Sequence, residues 1–96
     1  MRISLVVPTL TVALPAYAQV TLDVSNITCD QFSGYKITDP RNIALWLSGY
    51  HNGKIGNTVL DTQGLKSNAK KLMDYCVSNP SILVMRAAET LFGSNS

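Results

Sequence analysis

Charge is scarce in this chain: Asp, Glu, Lys and Arg make up 15% of its 96 residues, eight bases against six acids. So even a balance excludes a strongly basic nucleic-acid binder and an acidic solvating tail. Histidine is scarcer still, with His51 the only one. A hydrolytic triad needs a base held beside a nucleophile, and His51 falls in an expected turn, His51-Asn52-Gly53. No two Asp or Glu share a helical face, so paired-carboxylate catalysis lacks a scaffold. The six glycines are scattered and form no phosphate-cradling loop. The two cysteines lack C-x-x-C spacing, and with one His they supply too few ligands for a metal. No apolar run reaches the roughly 18 residues of a membrane span. The expectation is a protein that is not an enzyme, with no metal, no cofactor, no nucleic-acid partner and no membrane span.

What is present begins with an export signal. Met1 and Arg2 give a short positive start, and Ile3 to Leu14 form an apolar run broken only by Pro8. Pro15 ends any helix there, and Ala16-Tyr17-Ala18 is a small-x-small cleavage site. That layout predicts a secretory signal peptide over residues 1–18, cleaved after Ala18. A single domain then spans residues 19–96, 78 in number, with seven Lys/Arg against six Asp/Glu. Both cysteines, Cys29 and Cys76, fall in that part. An oxidising compartment pairs them, and two cysteines allow only one intramolecular connectivity. A domain this small buries little more than about 60% of its unfolded surface, so a covalent staple matters.

Helix signals follow in order. Residues 19–27 alternate loosely through Val20, Leu22 and Val24, as an arm or short strand would. Thr28 and Gln31 fit a capping box, and Gly34 stops that first helix early. Asp39-Pro40 is an N-cap followed by Pro at the first helical position. Ile43, Trp46, Leu47 and Tyr50 recur at i, i+3, i+4 and i+7, one face of a second helix that His51-Asn52-Gly53 ends. Residues 54–64 read as a Gly/Asn-rich loop around Val59-Leu60. Ser67 is expected to cap a third helix whose Ala69, Leu72, Met73 and Cys76 share a face. Asn79-Pro80 repeats the cap signal for a fourth, lined by Val84, Ala87, Ala88 and Leu91 and ended by Gly93, although residues 82–85 also fit a short strand. The predicted fold is all-α: a small four-helix domain, its first helix short, stapled by one disulfide.

Apolar residues exceed what one face per helix accounts for. Leu45 lies far round the second helix from Ile43 and Leu47, and Ile82, Leu83 and Met85 lie outside the fourth helix's stripe. Such a surplus marks a partner interface or several packed faces.

The order Ile27-Thr28-Cys29-Asp30-Gln31-Phe32, then a helix entered by Asp39-Pro40, then Thr58-Val59-Leu60-Asp61-Thr62-Gln63-Gly64, then Tyr75-Cys76 and Asn79-Pro80, resembles the HdeA/HdeB family of periplasmic acid-stress chaperones. The resemblance implies a four-helix fold with Cys29 and Cys76 as the family disulfide, a homodimer near neutral pH, and a periplasmic location. It implies that acid loosens the protein, exposing apolar surface that keeps acid-unfolded periplasmic proteins from aggregating without ATP. By position, Phe32, Ile43, Leu45, Trp46 and Leu47 fall in the region family members use for dimer contact and client capture. The competing expectation is a small periplasmic interaction protein that binds one partner at neutral pH with no acid switch.

The chemistry of such a switch has candidates. Protonating all six carboxyl groups and His51 takes the formal charge of residues 19–96 from +1 to +8. A capping carboxylate accepts backbone N–H bonds in its charged form, which makes Asp39 the clearest sensor; Asp61 is a further pH-sensing candidate. Histidine changes charge nearest to neutrality, so His51 suits a milder trigger. Asp39→Asn, which retains a cap without titrating, is expected to move activation to lower pH.

Overall fold

The computed structural model describes residues 21–93. Among them are four helices and no extended strand: α1 (Cys29–Ser33), α2 (Pro40–Lys54), α3 (Thr62–Ser78) and α4 (Val84–Phe92). The predicted all-α fold with a short first helix is the observed one. The expected signal peptide over residues 1–18 lies outside the described residues.

The chain enters through a 3-10 turn at Val24–Asn26 rather than an alternating strand. The Asp23 carboxylate causes the difference: it accepts from the backbone N–H and hydroxyl of Ser25, curling the chain before Ile27. α1 starts as its sequence predicts. The Gln31 N–H donates to the Thr28 hydroxyl and the Thr28 N–H donates to Gln31 Oε1, both halves of a capping box.

The disulfide Cys29–Cys76 joins α1 to α3 across a sequence separation of 47, with both cysteines fully buried. Around it pack Ile27, Phe32, Ile43, Leu47, Leu72, Val84, Ala87 and Ala88, all at most 3% exposed. The staple therefore sits inside the core, where every helix contributes a side chain.

Helix boundaries depart from expectation at three places. α2 runs through His51-Asn52-Gly53 to Lys54, because the polar turn signal is met only at Gly56, whose φ of 69° suits glycine. The third helix starts at Thr62 rather than after Ser67. Asp61 is its cap, accepting from the backbone N–H groups of Gln63 and Gly64 at 3.1 and 2.9 Å. Gly64, a loop signal in the sequence, is what makes room for that cap: a Cβ there would lie 2.7 Å from Asp61 Oδ2. The fourth helix starts at Val84, not after Asn79. The Asn79 side chain donates instead to the Tyr75 carbonyl, closing α3. The carbonyls of Pro80 and Ile82 accept from Asp30 and Cys29, and the Val84 N–H donates to the Ile27 carbonyl. Residues 79–83 thus serve as acceptors for the otherwise orphaned first turn of α1, which holds them out of a helix. Only an isolated antiparallel bridge, Thr28 with Leu83, survives of the alternative strand at residues 82–85.

Candidate functional site

The buried face of α2 is Pro40, Ile43, Ala44 and Leu47. This corrects the expected face, which placed Trp46 and Tyr50 inward. Both are exposed, at 47% and 37%, and Leu45 beside them is 53% exposed. The helix is rotated towards Ala44, whose small side chain lets α2 approach the core closely. Of the five residues expected to form an apolar surface, Leu45 and Trp46 are therefore on the outside. Phe32, Ile43 and Leu47 are core in this conformation.

The outward side chains of α2 hold one another. The Trp46 and Tyr50 rings stack with centroids 5.0 Å apart and planes within 12°. His51 meets Tyr50 edge-on at 5.7 Å, and Lys54 Nζ lies 4.3 Å from the Tyr50 centroid. Stacking and cation–π contact thus order the aromatic group without burying it.

The loop after α2 widens this surface. The Asn57 N–H donates to the Asn52 carbonyl at 2.8 Å, and the Val59 N–H donates to Asn57 Oδ1 at 3.0 Å. These bonds fold the loop back along the helix and set Val59 and Leu60, 73% and 57% exposed, beside Leu45. Between them is a shallow hollow of about 200 Å³ floored by Gly49 and Gly53, which have nothing within 4 Å of a would-be Cβ. Sequence reasoning read Val59-Leu60 as an apolar island in a loop and did not place it on this surface. The signal was the pair itself, two large aliphatics in an otherwise Gly/Asn-rich stretch.

The carboxylates lie around this scaffold as caps and ion pairs. Asp23, Asp39 and Asp61 are N-caps. Asp30 pairs with Lys36 at 2.6 Å, Asp39 with Arg41 at 2.7 Å and Asp74 with Lys70 at 2.8 Å. All five aspartates are so engaged. The Arg41 guanidinium and backbone N–H hold the Asp39 carboxyl below the usual carboxylate range, and the Ser25 hydroxyl and N–H do the same for Asp23. His51 is half-buried, and its Nε2 is shielded from solvent without a hydrogen-bond partner. It lines a second, larger hollow of about 350 Å³ between α2, α3 and α4, with Ala44, Leu47, Leu72 and Ala88 among its walls.

Among the described residues, no group of His, Cys, Asp or Glu could hold a metal ion, and no helix is long and apolar enough to cross a membrane. What the arrangement offers is apolar contact beside carboxylates whose charge strengthens the caps and ion pairs of the fold.

A family model described as the HdeA/HdeB family matches residues 2–86. The chain belongs to this family. The match runs across the disulfide, the shallow hollow beside Leu45 and the three capped helix starts, and ends within α4, before Ala88. No curated protein and no solved structure matches the chain. HdeA/HdeB membership suggests a periplasmic acid-stress chaperone, a binding role rather than a catalytic one.

Proposed function

We propose that this HdeA/HdeB family member is exported to the periplasm, where it acts as an ATP-independent chaperone that protects acid-unfolded proteins from aggregation. Family membership carries the reading, and the chemistry of the fold supports it. Three helix caps and three ion pairs rest on aspartates, and a protonated carboxyl group keeps an acceptor oxygen but loses the charge that strengthens these bonds. The helices then loosen around a core that Cys29–Cys76 still holds together, and Phe32, Ile43 and Leu47 join Leu45 and Trp46 as accessible apolar surface. The rise to +8 keeps the loosened chain and its bound client soluble. Near neutral pH the chain is a homodimer, with the Leu45/Trp46 face covered by a second copy.

One observation favours a second reading. Leu45, Trp46, Val59 and Leu60 are already exposed in the folded form, so the surface is available for one dedicated partner without any acid switch. Sedimentation velocity from pH 7 to pH 3 separates the two. A dimer at pH 7 that dissociates on acidification supports the chaperone. An association state unchanged across that range favours the neutral-pH binding protein.

A further inference from the structure

We infer that the face built by α2 and the loop after it is a docking surface for an anionic phospholipid bilayer, on which the monomer lies without crossing it. Leu45, Val59 and Leu60 stand exposed around one shallow hollow, and adjoining exposed aliphatic groups mark an interaction surface. The hollow's volume of about 200 Å³ falls short of the roughly 300–1,000 Å³ of small-molecule sites. Its occupant therefore spreads over the face instead of sinking into it.

Three features select an anionic bilayer. Trp46 and Tyr50, stacked at 5.0 Å, stand beside Leu45 on α2, and rings with an apolar body and a polar tip settle at the headgroup level of a membrane. Charge is the second feature. Residues 40–60 contain Arg41 and Lys54 but no Asp or Glu. Lys54 Nζ lies 4.3 Å from the Tyr50 centroid and takes part in no ion pair among the described residues, so its charge is available to a headgroup phosphate. The flanking acids do not oppose it: Asp39 pairs with Arg41 at 2.7 Å, and Asp61 is turned to the N–H groups of Gln63 and Gly64. The third feature is the loop backbone. The N–H groups of Gly56, Asn57 and Val59 donate to the Gly53 carbonyl, the Asn52 carbonyl and Asn57 Oδ1. These donors enter a poorly hydrated layer already paired. The inference goes beyond the chaperone reading and concerns the monomer, in which no second copy covers this face.

Trp46 is the only tryptophan in the chain, so its emission reports on this face alone. At pH 7, vesicles of phosphatidylcholine with phosphatidylglycerol should shift it to the blue saturably, and vesicles of phosphatidylcholine alone should bind at least fivefold more weakly. A lysine near an anionic surface contributes about fivefold, so Lys54→Gln should weaken binding to the anionic vesicles by that factor. Val59→Ser with Leu60→Ser alters exposed positions; it should retain the far-UV circular dichroism of the wild type and weaken binding at least tenfold. No blue shift, equal binding to the two vesicle types, or undiminished anionic binding by Lys54→Gln or by the double variant would each overturn the proposal. A Trp46 shift that follows protein concentration into a sedimenting dimer and ignores vesicles would overturn it too, with a second copy as the occupant. The titration uses neither acid nor client, so its failure leaves the chaperone reading standing.

Discussion

Asp61 offers a direct reading of how much the fold leans on a single carboxylate. It accepts from two backbone N–H groups at the start of α3, the helix that carries Leu72 and Cys76 into the core. Asp61→Ala removes both bonds, and loss of an N-cap costs about 1 kcal/mol, within a range of roughly 0.5–2. In a domain of this size each kcal/mol moves the melting temperature by about 4–8 °C. Asp61→Asn retains an acceptor of equal rank and loses only the negative charge at the helix start, about 0.3–1 kcal/mol. Far-UV circular dichroism melts at pH 7 should therefore rank wild type above Asp61→Asn and Asp61→Ala lowest, by about 4–8 °C below wild type. An Asp61→Ala protein melting with the wild type would refute the cap. If Asp61→Asn fell as far as Asp61→Ala, charge rather than hydrogen bonding would be what the helix start requires.

Asp39 tests the pH dependence. Its folded pKa is lowered, so its contribution is present above the unfolded carboxylate value of about 4 and is lost as pH falls through the folded value. Asp39→Asn should show a smaller loss of stability between pH 7 and pH 2 than wild type in urea titrations; an identical loss removes Asp39 from the trigger. Replacing Cys29 and Cys76 together by Ala opens a loop with a sequence separation of 47 and should cost about 4 kcal/mol. That is a large share of the roughly 5–15 kcal/mol a domain has, so helical circular dichroism at 37 °C should be mostly lost; a native spectrum there would show that the core suffices. Leu45→Ser with Trp46→Ser alters exposed positions and should leave the monomer folded, with loss of the Trp46–Tyr50 stack costing about 0.5–1.5 kcal/mol. The same pair should weaken suppression of client aggregation in acid, and undiminished suppression would move the capture surface elsewhere.

Features set by neighbouring residues were legible in the sequence. The Thr28–Gln31 box, the Asp39-Pro40 start and the pairing of two cysteines each depend on a local bond or a single possible connectivity. The α3 start was obscured because Gly64 carries a loop signal, and only the folded cap shows that it makes room for the Asp61 carboxylate. The α4 start was obscured because Asn79-Pro80 looks like a cap, while its actual task is to close α3 and supply a carbonyl to α1. The face of α2 turned on tertiary packing. Periodicity grouped Trp46 and Tyr50 with Ile43 and Leu47, yet the core takes the smaller Ala44 and leaves the aromatic pair to stack outside. The outer surface was half visible, since Leu45 stood out as surplus, but Val59 and Leu60 join it only through hydrogen bonds that fold their loop onto α2.

The most direct test of acid chaperoning is light scattering from an acid-sensitive periplasmic protein, brought from pH 7 to pH 2 with and without the purified mature domain. The account predicts suppressed aggregation below about pH 4, where carboxylates lose their charge, and no suppression at pH 7. Equal scattering with and without the domain at every pH would contradict it.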